Sequence, residues 1–326
     1  MPAMRLHRRN ALGVLAGAAA AAALRGAPAR AEAPLSVVAT TGMIADAARQ
    51  VGGDLVTVRA LMGPGVDPHS YRQTRSDIVA LTRADLVLWH GLYLEAQMED
   101  FLRDLARKRR VVAVAETLPP ALLRGHDDYA DKFDPHVWMA PELWKHVVVA
   151  VRDALSEARP EGAEAFAANA ARHLRELDAL AAYARASLSR VPAPARVLLT
   201  AHDAFGYFGA AYGFEVVGIQ GISTESEAGL NRIRELVDML VARDIRAVFV
   251  ESSVSDRNIR ALVEGAAARG HAVAIGGELF SDAMGPEGSY EGTYIGMIDH
   301  NVTVIAAALG AEVPAGGMQG KLGMGS

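Results

Sequence analysis

Eight short runs rich in β-branched residues, alternating with amphipathic stretches, constrain this chain more than any other feature. The first four are "LSVVATTG", "VTVRALMG", "DLVLWHG" and "RVVAVAE"; the rhythm restarts near Arg196 with "RVLLTAH", "FEVVGIQG", "IRAVFVES" and "HAVAIGGELF". Strand and helix alternation of this kind means parallel sheets with helices on both faces, an α/β fold. Between the two sets, Pro141 to Arg190 is rich in Ala, Leu, Arg and Glu and almost free of β-branched runs after Val151. It reads as helix, broken once at Arg159-Pro160-Glu161-Gly162, with a second piece from about Ala163 to Ser189 that is roughly 40 Å long at helical rise. A helix that long is a stiff strut, which should restrict hinge motion. "RVPAPAR" ends it. The expected organisation is a leader at 1–31, an α/β lobe at 32–160, one long rigid linking helix at 161–191 and a second α/β lobe at 192–326. Within the second lobe, Thr224-Glu225-Ser226-Glu227 has the form of a capping box and predicts a helix start.

The chain has 326 residues, 51% of them hydrophobic, enough for one large core or two medium ones. It has no cysteine, which excludes disulfides, thiolate metal sites, a Cys nucleophile and a lipid-modified N-terminal Cys. Any metal must then be held by nitrogen and oxygen. The first 31 residues hold five arginines and no acid: basic "MRLHRRN", an apolar run from Ala11 to Leu24, then small residues at "APARAEA". That order is a cleavable export signal, and Arg8-Arg9 hints at the twin-arginine route. Neither this run nor any later one is long and apolar enough for an ordinary transmembrane helix. A periplasmic protein that is not a lipoprotein is expected. The whole chain carries a net charge of −5, and removing the five leader arginines takes it to −10. Nucleic acid and anionic membranes are therefore poor partners, and a cation is a better one.

The tripeptide Asp-Pro-His occurs twice, as Asp67-Pro68-His69 and Asp134-Pro135-His136, each time in a loop. Proline restricts the residue before it to extended conformations and fixes its own φ, so the imidazole is presented from a stiff mount. The aspartate is short enough to hold nearby backbone or a second ring nitrogen. In open α/β sheets ligands bind beyond the carboxyl ends of strands. His69, His202 and Asp282 each follow a predicted strand, and His136 sits in the loop that closes the first lobe, so all four have routes to a common cleft.

"GVDPHSYRQTRSDIVALTRADLVLWHGLYLE", "DPHVWMAP", "LLTAHDAFGYFGAAYGFEVVGIQGISTESEAG" and "GGELFSDAMGPEGSYEGTYIGMIDHN" resemble, in order, the manganese/zinc solute-binding proteins of bacterial ABC importers, the cluster A-I family. The resemblance covers nearly the whole chain after the leader. It implies two α/β lobes bridged by one long helix, with one divalent cation, Mn2+ or Zn2+, in the cleft between them. It implies His69, His136, His202 and Asp282 as its ligands, the three-His, one-Asp branch. An ABC permease and its ATPase are the implied partners, with the chain acting as a monomer and without turnover. The long His/Asp-rich loop of many zinc-devoted members is absent, "LLRGHDDYADKFDPH" offering only His126 in addition.

Other residues carry blander expectations. His90 reads as a strand-end histidine without metal contact, and Glu251 as a carboxylate at the same edge of the second lobe. His146, His173 and His300 fall in helical patterns and should be on the surface or partly packed, while His271 precedes a strand and needs no function. Trp89, Trp138 and Trp144 read as packing groups. Two other functions compete: a zinc metallohydrolase using the same histidines with Glu251 or Asp282 as base, and an adhesin-like protein using the metal for stability alone. No HExxH-type motif supports the first.

Overall fold

The computed structural model describes residues 33–126, 129–226, 228–314 and 316–323. The expected leader lies outside them. Strands β1 (Leu35–Ala39), β2 (Val56–Ala60), β3 (Leu86–Trp89) and β4 (Val111–Ala113) form one parallel sheet in the order β2-β1-β3-β4. In the second half, β5 (Val197–Thr200) pairs with β6 (Glu215–Gly218), and β7 (Ala247–Glu251) pairs with β8 (Ala274–Leu279), again in parallel. Because β5 lies beside β7, the second half repeats the progression of the first. Every strand falls within a run where the sequence places one. All residues of β3 and β5 are buried, as expected for central strands covered on both faces. The chain changes direction across the first sheet beside β1, and β5 stands in the corresponding place between β6 and β7; loops that diverge at such points leave a crevice at the carboxyl ends.

Helix α1 (Gly42–Gly52) starts at Thr41, whose side chain accepts from the Ile44 amide. Helices α2 (Arg75–Arg83) and α3 (Glu99–Ala106) complete the first half's covering. Next come α4 (Pro141–Ala158), with Pro141 at its first turn, and the 26-residue α5 (Ala163–Leu188). The break between them is the short turn Pro160–Gly162, where proline cannot continue the preceding ladder. The second half adds α6 (Gly206–Tyr212), α7 (Leu230–Ala242), α8 (Arg257–Ala268) and α9 (Tyr294–Ala308).

Along α5, Phe166, Ala170, His173, Leu177, Leu180, Ala181, Ala184 and Leu188 are buried at helical spacing. This stripe enters a hydrophobic core that also holds Met43 and Ile44 of α1, Trp144 and Val148 of α4, and Met297 and Ile305 of α9. One core thus spans both halves. Trp144 stacks on Tyr294 with ring centroids 5.1 Å apart and planes 14° apart. Asp46 of α1 accepts from the Tyr294 main-chain amide at 3.0 Å, which places a carboxylate of the first half on the N-terminus of α9.

Two local expectations fail. Thr224 caps nothing: α7 begins at Leu230, and its N-cap Gly229 makes no side-chain bond. A complete capping box forms instead at Thr74 and Asp77, at the start of α2. His173 is fully buried rather than superficial, because it occupies a position in the apolar stripe of α5. Its Nδ1 meets Glu176 at 3.1 Å.

Leu177→Ala should cost about 2–5 kcal/mol, the range for emptying a packed leucine site. Urea denaturation reads this as a lower midpoint, and an unchanged midpoint would show that α5 is not built into the core.

Candidate metal centre

Three imidazoles reach the crevice from three mounts. His69 lies on the loop after β2, where Asp67 Oδ1 accepts its main-chain amide at 2.9 Å. His136 lies on the second Asp-Pro-His loop. There Asp134 Oδ1 accepts both the His136 amide, at 3.0 Å, and Nδ1, at 2.8 Å. His202 follows β5, and Glu251 at the end of β7 grips it the same way. Oε1 accepts the main-chain amide at 2.9 Å and Oε2 meets Nδ1 at 2.5 Å. Two rings are thus each fixed at two points by one carboxylate, which turns Nε2 toward the crevice.

Asp282, three residues beyond β8, faces those nitrogens. Its oxygens lie 3.4 Å from His136 Nε2, 3.2 Å from His202 Nε2 and 3.9 Å from His69 Nε2. His69 and His136 Nε2 are 3.3 Å apart. The four ligating atoms all lie within 4.8 Å of one another. A tetrahedral cation held at about 2.0–2.1 Å by such atoms spaces them about 3.3 Å apart. His202 Nε2 and both Asp282 oxygens are buried without a hydrogen-bond partner. Buried polar atoms of that kind are rare unless something else satisfies them, and a cation fits.

Charge is balanced within the cluster. Burial lowers the His69 imidazole to about 3 in spite of Asp282. Burial also opposes charge on His136, but hydrogen bonds and charges from Asp134 and Asp282 outweigh it and raise the group to about 9. The same contest at His202 is won by the Asp282 and Glu251 charges, which lift it well above its ordinary value. Asp282 is held well below the usual carboxylate range, against burial, by His202 and His136. Both imidazoles thus favour the charged form beside the Asp282 carboxylate.

All four sequence-predicted site residues are brought together. Glu251 proves to be the orienting partner of His202. His90 stands apart from the cluster: its ring nitrogen Nε2 meets the Pro135 carbonyl at 2.7 Å and so braces the loop that carries His136. The His90 amide donates to Glu95, a fully buried carboxyl that burial pushes up to about 7. His126 is buried against Tyr129, with ring centroids 4.8 Å apart, and is not among the four. Trp138 packs edge-on against both His136 and His90 and donates Nε1–H to the Ser281 carbonyl at 2.8 Å, next to Asp282. It is a packing group, but one that joins two ligand mounts. Sequence reading missed Tyr207, whose hydroxyl donates to the Asp134 carbonyl at 2.9 Å and accepts from the Arg124 amide at 2.9 Å. Nothing in "AFGYFG" distinguishes that tyrosine from its aromatic neighbours.

The family described as "ZnuA: Zinc-uptake complex component A periplasmic" matches residues 37–308, which take in all four clustered residues and every strand but the first two residues of β1. The chain belongs to that family. Among its relatives, the manganese-binding lipoprotein MntA of Bacillus subtilis is 49% identical over 84% of this chain and 90% of its own. The zinc-binding protein TroA of Treponema pallidum is 47% identical over 84% of this chain and 88% of its own. The iron-binding protein YfeA of Yersinia pestis is 33% identical over 84% and 86%. The solved structure of the periplasmic zinc-binding TroA superposes with a TM-score of 0.82, covering 85% of this chain and 99% of that one.

One expectation is corrected by these ZnuA-family relatives. The chain was expected not to be a lipoprotein because it has no cysteine, yet MntA, sharing nearly half its residues, is named a lipoprotein. A cysteine count taken from this chain alone was the wrong ground for a statement about anchoring, and the residues concerned lie outside those described. Among the described residues no helix is long and apolar enough to cross a membrane.

Glu251→Gln removes the charge behind His202 and should weaken cation binding about 10- to 100-fold, the usual loss when a ligand's orienting partner goes. Competition against a fluorescent chelator measures this, and wild-type affinity in a folded variant would deny Glu251 its role.

Proposed function

We propose that this ZnuA-family protein captures one divalent transition-metal cation, Mn2+ or Zn2+, through His69, His136, His202 and Asp282, and passes it to an ABC-type permease driven by its ATPase. The observation that carries the reading is the buried convergence of three imidazole nitrogens on one carboxylate, with His202 Nε2 and both Asp282 oxygens outside any well-formed hydrogen bond. The cation is cargo. Four protein ligands suit holding a metal, whereas catalytic zinc keeps a position open for water, so no turnover is expected. The names of the relatives, which span manganese, zinc and iron, support a site of this class. Three nitrogens and one carboxylate favour zinc over manganese in intrinsic affinity, and supply then decides which is carried. The lobe boundaries proposed are 32–160 and 192–326 with 161–191 between them, and the buried stripe of α5 argues for a small opening motion.

Calorimetric titration of metal-free protein with Mn2+ and with Zn2+ should show one tight site per chain. His202→Ala should weaken it by more than about 100-fold, beyond the loss from an orienting partner. Weak or multiple binding indifferent to His202 would defeat the proposal.

The pH dependence follows from the cluster's charges. Coordination needs neutral imidazoles, and His136, raised to about 9, keeps its proton below that value in the cation-free state. Affinity should therefore keep rising as pH climbs from about 7 toward about 9, rather than levelling off near the free-histidine value of about 6.5. It should fall, with proton uptake on release, as pH drops. Affinity that is flat above pH about 7 would show that His136 is already neutral there.

A further inference from the structure

The two Asp-Pro-His mounts differ in one respect. Asp134 spends one oxygen on both the amide and the ring of its own histidine. Asp67 holds only the amide of His69 with Oδ1, and its Oδ2 accepts from Ser70 Oγ at 2.9 Å and from Thr224 Oγ1 at 2.7 Å. Ser70 belongs to the same loop, but Thr224 is 157 residues away, on the segment that follows β6 in the second half. His69 is thus the imidazole least fixed by its own mount, and that mount is tied across the crevice by a hydroxyl.

The other side of the loop is open. Gly63, Pro64 and Val66 line a cavity of about 370 Å³ whose far wall includes Ala283, Met284 and Gly285, next to Asp282. Gly63 has no atom within 4 Å of where a Cβ would stand, and Gly65 has a φ of +71°, a conformation glycine adopts freely. The loop thus has open space beside Gly63, while Gly65 lies against the Ser252 carbonyl, 3.4 Å from where a Cβ would stand. The neighbouring bond from Gln97 to Glu225 also crosses the crevice, but it is exposed and so contributes little.

We propose that the Thr224 hydroxyl is a latch on the His69 loop: by holding Asp67 across the crevice it keeps His69 in the cluster, and its release lets His69 leave first when the cation departs. Thr224 is a positioning residue, acting on the cation only through Asp67 and His69. The proposal rests on the capture reading above. Thr224→Val keeps the shape and removes the donor, while Thr224→Ser keeps the donor. Full-length wild type and both variants, loaded with Zn2+ or Mn2+ alone, are mixed with excess chelator in a stopped-flow instrument, and the thermal midpoint of each is measured without metal.

Thr224→Val should release the cation roughly tenfold faster, which is what one hydrogen bond to a charged acceptor supplies. Its metal-free thermal midpoint should fall by no more than a few degrees, as for the loss of one hydrogen bond in a folded chain, and Thr224→Ser should release within about twofold of wild type. Release from Thr224→Val at the wild-type rate, or from Thr224→Ser as fast as from Thr224→Val, overturns the latch and leaves the capture reading standing. Failure of wild type to hold any cation overturns both.

Discussion

The site depends on placing a carboxylate behind an imidazole. Behind His136 stands Asp134, and behind His202 stands Glu251, each taking a main-chain amide and a ring nitrogen at once. That double grip settles the ring's orientation before any cation arrives, so little freedom remains to be lost on binding. It also puts negative charge where the opposite ring nitrogen must become a better electron donor. The cost is a cluster of ionisable groups away from water, tolerable because the carboxylates of Asp134, Glu251 and Asp282 stand against the His136 and His202 imidazoles. A divalent cation bound as proposed would replace the protons on those imidazoles with charge of the same sign.

Much of this was legible in the sequence. Period and β-branching marked all eight strands, most plainly β3 and β5, which are buried on both faces and so apolar. The break before the long helix was marked by Arg159-Pro160-Glu161-Gly162, and the four converging residues were marked by two Asp-Pro-His loops and by strand ends. What the sequence hid were partners that only folding brings near. Thr224 has the local pattern of a helix cap, and a local pattern was overruled by a charged acceptor on a distant loop. The apolar stripe of α5 was readable, but a histidine within it was not, since side-chain type argued for the surface and phase argued for the core. Glu251 could be placed at a strand end, yet only the packing of β7 next to β5 puts it behind His202.

Cross-crevice hydrogen bonds gather at the ligand mounts. Thr224 reaches Asp67, Tyr207 reaches the Asp134 carbonyl, and Trp138 reaches the carbonyl next to Asp282. Each bond joins one half to the backbone or carboxylate that holds a ligand of the other. A shift of the halves is therefore felt first at the ligands, even when the long helix keeps that shift small.

The strand order of the first half returns in the second, which suggests two copies of one unit. The carboxylate of Asp46 limits how far that resemblance extends. It is buried, its ionisation is opposed chiefly by that burial, and the Tyr294 amide at the head of α9 is one of its donors. Severed from the second half, the first would lose the donor that the buried Asp46 carboxylate now has, and α9 would lose the acceptor of its first amide. Repetition here is one of topology alone: a chain cut at the long helix yields two fragments, neither of which carries its own complete set of hydrogen bonds.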